Sequence, residues 1–473
     1  MGLFFGWIYF LQNVLSFLTK KNPMAQMIEH QVPGKQEGTL TVRDDRTGHS
    51  YTIPIIHNAV PALGFRQIVK DRKNKTPRQQ FEEGLRVIDP GYRNTAVKMS
   101  GITYINGEQG VILYRGHPLG SLVGKSYEEI THLLVWGSLP TESQRLSFQR
   151  KLAEAMVLPD VVRQAVTNLP RDVPATVLMG AALTAYLSVH PEYIPAYVGK
   201  NLYNGKMDKV DEQLTRTLGI SAVTISIVFC HKHGREFRPA DLNRSYIENL
   251  LHMGGFTEGN PNVSPEKAAD IFTRLWALYA DHEMTNSTSA YLHTASALTD
   301  PISSLIACLQ SAYGLLHGGA IDAAYTGMRE IGGPENVPHL INKVVNKEAR
   351  LSGYGHRIYK LQDPRAGYIK EMLDELTHDT DIRQMDPVLA IAMEIDRMAG
   401  QHEYFTKRNL QANADLYGSF VYTALGVPSD FCVALAMLSR VPGVLAHWRE
   451  AMSRPPELWR PLQIYTGPTS VTV

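Results

Sequence analysis

Hydrophobic residues recur at helical spacing from about Tyr127 almost to the end of the chain, and few strand-like runs interrupt them. The clearest helix starts at Asp300-Pro301, an N-cap residue followed by a proline at the first helical position. Its apolar positions share one face and are Ile302, Leu305, Ile306, Leu309, Ala312, Tyr313 and Leu316. A second helix start is predicted at Asp363-Pro364, before Ile369, Met372, Leu373 and Leu376. The pattern predicts a mainly α-helical protein.

Two stretches nearer the N-terminus have a strand-like pattern instead. Thr39 to Ile55 alternates apolar and polar residues on either side of a polar turn, Asp44 to Gly48, and predicts a β-hairpin. A shorter hairpin is predicted around Asn106-Gly107. The strands are therefore expected to form a small element beside a helical protein.

The first residues form an almost wholly apolar segment, Leu3 to Leu18, which ends at Lys20-Lys21. The segment is shorter than the roughly 20 residues that span a bilayer, and it lacks the basic start of a secretory signal and the arginines of a transit peptide. Three interpretations stay open. The segment is a monotopic membrane anchor, an amphipathic cover on the protein, or absent because translation starts at Met24 or Met27.

Composition narrows the class of protein. The chain has 473 residues, 44% of them hydrophobic, which is enough for a large core and two or more domains. Its 47 basic and 46 acidic side chains nearly balance, so there is no charge footprint for nucleic acid. Cys230, Cys308 and Cys432 lie far apart, which argues against a disulfide framework or a cysteine metal site. An intracellular location is expected, cytoplasmic or membrane-associated, and a mitochondrial one stays open.

The stretch LSGYGHRIYKLQDPR combines glycines, cations and a helix start. Its two GYG glycines let main-chain amides approach a ligand closely, and the tyrosine between them offers a flat face. The arginine of DPR falls in the first helical turn, where the positive helix end and the guanidinium both favour an anion. The residues concerned are Gly353, Tyr354, Gly355, His356, Arg357, Lys360 and Arg365. Together they predict an anion site, although each alone also suits a glycine turn before an ordinary helix.

Other histidines and acids invite their own hypotheses. Asp281, His282, Glu283 and His293 raise the question of zinc, but HExxH is absent, and on one helix the two histidines would lie about 16 Å apart. No metal is therefore expected, and His282 alone also suits a buried histidine bonded to backbone.

His317 and Asp415 each have a structural and a functional interpretation. His317 in YGLLHGGA is expected at the end of an apolar helix, pointing into a cleft or capping helix carbonyls. Asp415 precedes a helix that ends near Gly426 and Pro428, so an N-cap role is expected whether or not it also does chemistry.

Three stretches resemble the citrate synthase family of the bacterial and glyoxysomal type, and a fungal alkylcitrate synthase-like member fits the same resemblance. They are GYGHRIYKLQDPR, ADHEMTNSTSA around His282, and residues 87–119. The resemblance implies the two-domain citrate synthase fold, mainly α, with a small N-terminal β-hairpin element. The implied parts are a hydrophobic segment and linker (1–37), the β element and linker (38–80), a large helical domain (81–317), a small helical domain (318–420) and the rest of the large domain (421–473).

The resemblance also implies roles for residues. Asp415 takes a proton from the acyl-CoA α-carbon, His317 stabilises the thioester oxygen, and His356 polarises the ketone of oxaloacetate. Substrate-binding residues are His282, Arg365, Arg440 and Arg460, the last contributed to the neighbouring subunit of a homodimer. Coenzyme A binds at Gly353, Tyr354, Gly355 and Lys360. Neither a metal nor another cofactor is implied, since acyl-CoA is a substrate.

The chain departs from the family pattern in two places. Around the base the family usually reads Asn-Val-Asp-Phe-Tyr-Ser-Gly, whereas this chain has Leu416 for the phenylalanine and Gly418-Ser419 for Ser-Gly. Where relatives commonly have His-Pro-Met-Gly, this chain has Pro174-Ala175-Thr176-Val177. Three functions are therefore considered: an acyltransferase that makes citrate from acetyl-CoA, one that makes a 2-alkylcitrate from a longer acyl-CoA as in fungal secondary metabolism, and a CoA-binding regulatory protein without turnover. The retained catalytic set argues against the third function. Leu416 favours the second if its side chain lines the acyl pocket, and the alternative is that Leu416 faces the helix interior and only repacks.

Overall fold

The computed structural model shows a protein built mainly of α-helices. It describes residues 34–258, 260, 262–351, 354, 363–378, 386–408, 410 and 414–468, with the backbone alone at 415 and 416. The apolar N-terminal segment and most of the GYGHRIYKLQ stretch lie outside these residues. The described residues up to Met99 form one compact unit, and those from Ser100 onward form a second. The domain limits predicted at 317/318 and 420/421 stay predictions.

The helices confirm the mainly α prediction. In chain order they are α1 (Pro77–Glu83), α2 (Tyr127–Trp136), α3 (Glu142–Ala155), α4 (Asp160–Thr167), α5 (Ala175–Ser188), α6 (Pro195–Val198), α7 (Met207–His233), α8 (Tyr246–Gly254), α9 (Pro265–Tyr279), α10 (Asn286–Ala295), α11 (Pro301–Ala312), α12 (Gly319–Ile331), α13 (Val337–Val345), α14 (Pro364–Thr377), α15 (Pro387–Gln401), α16 (Glu403–Thr406), α17 (Ala414–Ala424), α18 (Cys432–Ser439) and α19 (Val441–Met452). Short 3-10 turns lie at Ala62–Gln67, Leu119–Ser121, Pro191–Tyr193, Pro334–Asn336 and Ser429–Phe431.

Both predicted hairpins are present. In the first unit, β1 (Gln36–Asp44) pairs antiparallel with β2 (His49–Ile56), and Leu40 lies opposite Ile53. In the second unit, β3 (Thr103–Asn106) pairs with β4 (Val111–Tyr114), which also pairs with the short β5 (His117–Pro118). The Asn106 side chain accepts hydrogen bonds from the Glu108 and Gln109 amides, which closes the turn that the Asn-Gly pair predicts.

The core of the second unit is centred on the long helix α7, which packs against α3, α4, α5, α8 and α19. Most of α7 from Val210 to His231 is buried. Two helical stretches, Met207–His233 and Ser429–Met452, are long and apolar enough to cross a membrane, but 89% and 94% of their most apolar windows are buried inside the protein. Their apolarity is therefore explained by the core that they form.

The helix predicted from Asp300 starts as expected and ends early. Asp300 caps α11 by accepting from the Ile302 and Ser303 amides. Ile302 and Leu309 are buried on the predicted face. The helix ends at Ala312, however, and Leu316 is fully exposed, so the predicted apolar face does not extend to that residue.

Candidate active site

Tyr279, the last residue of α9, brings together residues that are far apart in the sequence. Its buried ring has the guanidinium carbons of Arg365 and Arg440 at 5.4 and 5.9 Å from the ring centre, within cation–π range. Its hydroxyl donates to the Ala414 carbonyl at 2.9 Å, at the start of the helix that carries Asp415. Two predicted substrate arginines and the start of the predicted base's helix therefore meet at one aromatic ring.

Asp363 joins the same group of residues. It caps α14 by accepting from the Arg365 amide, as predicted, and its carboxylate also accepts from Arg365 Nε at 3.0 Å and Nη2 at 2.8 Å. Its Oδ2 further accepts from the Ala414 amide at 3.2 Å. Burial raises the pKa of Asp363, but the charge and hydrogen bonds of Arg365 outweigh burial and hold this pKa well below its usual value. Tyr279, Asp363, Arg365, Ala414 and Arg440 are called the Tyr279 cluster below.

Arg440 is the second arginine beside the Tyr279 ring. It lies between α18 and α19 and is partly buried. Its Nε is buried without a hydrogen-bond partner among the residues that the structure describes. A buried guanidinium donor with no acceptor is costly, so the position is suited to a ligand that supplies one.

His282 lies in the non-helical link between α9 and α10 and is buried. On one side, the Tyr114 hydroxyl donates to the Asp281 carbonyl at 3.0 Å, and the Asp281 carboxylate is 3.3 Å from Nε2 of the buried His447. On the other side, Glu283 has the left-handed backbone φ of 55° and accepts from the Ile105 amide at 2.9 Å. The backbone is thus fixed immediately before and after His282.

Two pKa shifts support this arrangement. Burial raises the pKa of Asp281, but the His447 imidazole, together with hydrogen bonds such as the one from the Glu283 amide, outweighs burial and leaves this pKa below its usual value. Burial raises the pKa of the Tyr114 hydroxyl, and the positive charges of Arg365 and Arg440 partly oppose that rise. The Tyr114 hydroxyl also lies 3.4 Å from the carbonyl of Leu278, the residue before Tyr279. The two groups therefore form one region of the second unit.

His317 lies in a turn and not at the end of an apolar helix, which corrects the sequence prediction. Its amide donates to the Gly314 carbonyl, and α12 begins two residues later. A Cβ on Gly319 would stand 2.3 Å from the Tyr313 carbonyl oxygen, so the turn requires glycine there. The His317 Nε2 is 2.8 Å from the hydroxyl of Ser287, in the first turn of α10. The turn therefore brings His317 to the helix that follows His282.

Asp415 lies within the first turn of α17, not before the helix as the N-cap prediction requires, because α17 already begins at Ala414. Its side chain is outside the described atoms. His356 and three predicted CoA-binding residues, Gly353, Gly355 and Lys360, lie outside the described residues altogether.

The structure also describes two further predicted residues, Tyr354 and Arg460. Tyr354 is half-buried, and its hydroxyl donates to the Asp396 carboxylate at 2.9 Å, so this tyrosine is tied to α15. Arg460 is exposed on the non-helical segment that follows α19. Within the residues that the structure describes, no group of three histidine, cysteine, aspartate or glutamate side chains could hold a metal ion.

Sequence reasoning missed Tyr279, Tyr114 and His447. Each is a single buried polar aromatic residue in a helical or strand pattern, which looks the same as core packing in a sequence. Asp363 was detectable, but only as an N-cap, since its contact with Ala414 spans 51 residues.

Comparison with known proteins gives one consistent result. The family model for the citrate synthase C-terminal domain matches residues 91–462. The citrate synthase-like protein oryE of Aspergillus oryzae is 44% identical over 430 residues, which is 91% of this chain and 96% of that protein. Alkylcitrate synthase phiJ of a fungal species is 38% identical over 436 residues, 92% of this chain and 94% of that one.

The fold comparison agrees. Citrate synthase of the archaeon Thermoplasma acidophilum, in its ternary complex with carboxymethyl coenzyme A and oxaloacetate, has a TM-score of 0.70 and 29% identity, covering 80% of this chain and 96% of that one. The predicted fold class is therefore confirmed as the citrate synthase fold. The family match over most of the chain and the extent of the similarity to oryE establish that the chain belongs to the citrate synthase family.

Proposed function

We propose that this protein condenses an acyl-CoA with oxaloacetate and hydrolyses the resulting thioester, releasing coenzyme A and citrate or a 2-alkylcitrate. The observation that carries the proposal is the Tyr279 cluster, which joins two arginines to the start of the helix bearing a carboxylate. The citrate synthase-type and alkylcitrate synthase relatives support the same reaction class.

Oxaloacetate has two carboxylates and a ketone, and the proposed residues match these groups. Arg440, whose buried Nε has no hydrogen-bond partner in the described part of the chain, binds one carboxylate. Arg365 adds positive charge and further donors, and His282 hydrogen-bonds the substrate from its fixed link. Arg460 of a second subunit completes the set, and His356 polarises the ketone. Gly353, Tyr354, Gly355 and Lys360 are proposed to bind coenzyme A.

The acyl α-carbon is a weak carbon acid, so its proton is removed only if the enol is stabilised as it forms. Asp415 takes this proton. His317, held near Ser287, stabilises the thioester oxygen. The enol carbon then attacks the oxaloacetate ketone, and water hydrolyses the thioester. These steps need no metal and no cofactor beyond the acyl-CoA substrate.

The acyl group is proposed to be longer than acetyl. The support is that similar proteins include two named alkylcitrate synthases, and that Leu416 beside the base replaces the family's phenylalanine. A smaller side chain next to the base leaves room for additional methylene groups. Closure of the segment 318–420 over the rest of the chain is proposed to exclude water before the enol forms.

A homodimer is proposed because several large apolar side chains are exposed among the residues that the structure describes. Four of them, Leu458, Leu462, Ile464 and Tyr465, lie on the segment that carries Arg460, and Leu315 and Leu316 lie just before His317. Mixing Asp415→Asn with Arg460→Ala subunits should then restore activity through heterodimers. Verified heterodimers without activity would contradict a shared site.

The reaction is tested by measuring free coenzyme A after mixing the enzyme with oxaloacetate and acyl-CoAs of increasing chain length. We expect coenzyme A release that depends on oxaloacetate and a tricarboxylic acid product of the matching mass. The highest kcat/KM is expected for an acyl-CoA with a longer chain than acetyl-CoA. Binding of acyl-CoA without release would instead favour the regulatory alternative. Release without oxaloacetate would indicate a thioesterase.

A further inference from the structure

The start of α17 is held by hydrogen bonds from two other parts of the chain. Ala414 donates its amide to Asp363 Oδ2, and its carbonyl accepts the Tyr279 hydroxyl at 2.9 Å. A carbonyl oxygen has two lone pairs, so it can accept this hydroxyl in addition to a helical amide. Both polar groups of the residue before Asp415 are therefore fixed from outside the helix.

This contact depends on a glycine one turn later. A Cβ on Gly418 would stand 2.1 Å from the Tyr279 hydroxyl oxygen, closer than real Cβ atoms approach, and 3.1 Å from Cζ, which is a tight contact. Gly418 occupies the position at which the family pattern that this chain resembles has serine. Tyr279 and Gly418 are therefore a matched pair, since the tyrosine hydroxyl occupies space that a larger residue at 418 would need.

The same ring also contacts the arginines. Arg365 and Arg440 lie beside it, and Arg365 is paired with the carboxylate that holds the Ala414 amide. One buried side chain thus links the groups proposed to bind oxaloacetate to the helix that carries the proposed base.

We propose that Tyr279 is a positioning residue that sets the location of Asp415 relative to bound oxaloacetate, with Gly418 as the site that accommodates its hydroxyl. The proposal rests on the proposed condensation reaction. A displacement of a catalytic group by about 1 Å can cost roughly 100-fold in rate, so the loss of one hydrogen bond at this position is measurable in kcat.

The first test is Tyr279→Phe, which removes the hydroxyl and keeps the ring. We expect kcat and the rate of α-proton exchange in the acyl-CoA to fall together by about 10- to 100-fold, while KM for oxaloacetate changes by less than about threefold. The matched control is Tyr422→Phe. Tyr422 is buried on α17, the helix that carries Asp415, and its hydroxyl accepts a hydrogen bond from the Trp276 indole at 3.0 Å. The control should lose stability and keep kcat. Equal kcat in the two variants, or a loss confined to KM, would overturn the proposal.

The second test needs no activity. Gly418→Ala should lower the thermal midpoint markedly, because its Cβ meets the Tyr279 hydroxyl. In the double variant Gly418→Ala/Tyr279→Phe that oxygen is gone, so most of the lost stability should return, while kcat stays no higher than in Tyr279→Phe. Additive losses of stability would overturn the matched pair. A wild type with no condensation activity refutes the proposed function, whereas an active wild type with an undamaged Tyr279→Phe refutes only the positioning role.

Discussion

The segment that carries His282 and the helix that carries Asp415 are held in different ways. His282 lies between Asp281 and Glu283, which are fixed by Tyr114, His447 and the Ile105 amide. The start of α17 is fixed through Ala414, by Asp363 and Tyr279, and both of these also contact Arg365. The first arrangement is a rigid support for a side chain that is proposed to bind the substrate. The second couples the proposed base to the arginines, so damage there should reach proton transfer.

The largest expected effect comes from removing the Asp363 carboxylate, which accepts hydrogen bonds from both Arg365 and Ala414. Asp363→Ala leaves the buried Arg365 guanidinium and the Ala414 amide without this acceptor. Breaking a buried ion pair from one side typically costs about 3–5 kcal/mol of unfolding free energy. Denaturant unfolding should show a loss of this size together with loss of condensation.

The control for that variant is Glu154→Ala, which removes an exposed partner of Arg150 at 3.0 Å. Its unfolding midpoint should stay close to that of the wild type. A similarly small effect for Asp363→Ala would show that the Asp363 carboxylate does not fix α17.

The next effect concerns the acyl group beside the base. If Leu416 leaves room for a longer chain, Leu416→Phe should shift the ratio of kcat/KM values toward acetyl-CoA by about 10-fold or more, since one methylene in an apolar pocket is worth about 1–3 kcal/mol. Competition between two acyl-CoAs measures this ratio. A wild type that already prefers acetyl-CoA would eliminate the longer-chain proposal and leave citrate as the product.

A smaller effect is expected on the His282 side. Tyr114→Phe removes the hydroxyl that donates a hydrogen bond to the Asp281 carbonyl. A hydrogen bond of this kind contributes about 1 kcal/mol. KM for oxaloacetate should rise several-fold while kcat changes little, the reverse of Tyr279→Phe. Steady-state kinetics with varied oxaloacetate separates the two. The same kinetic pattern in both variants would remove the distinction between the two segments.

The smallest effect is a dependence of stability on pH. The pKa of Asp281 is lower in the folded protein than the unfolded value of about 3.9. The stabilisation from a lowered pKa is present above the unfolded value and is lost as pH falls through the folded one. Stability should therefore decline more steeply below about pH 4 in the wild type than in Asp281→Asn. Equal slopes would show that Asp281 is not stabilised as an anion.

Whether the sequence could predict a structural feature depended on how far apart along the chain the interacting residues are. The helix starts at Asp300 and Asp363 and both hairpins were predictable, since caps and turns are set by neighbouring residues. The end of α11 was not, because Tyr313 and Leu316 continue the apolar spacing although the chain turns after Ala312. Spacing alone does not show where the backbone leaves the helix.

The residues of the candidate site also differ in whether the sequence predicts them. Arg365 and Arg440 were predicted from motif context, and the structure brings both to the Tyr279 ring. Tyr279 itself carried no signal, because its contact with Ala414 joins residues 135 positions apart. Long-range partners of this kind depend on the packing of α9, α14 and α17, which no local pattern specifies.

The most direct test of the account is the rate at which Asp415→Asn exchanges the acyl α-proton with deuterated water in the presence of oxaloacetate or a non-reacting analogue. Asparagine cannot act as the base, so exchange should fall to background while the affinity for oxaloacetate, measured by calorimetry, stays close to that of the wild type. Near-normal exchange in Asp415→Asn would contradict the assignment of the base, and with it the separation between the two segments.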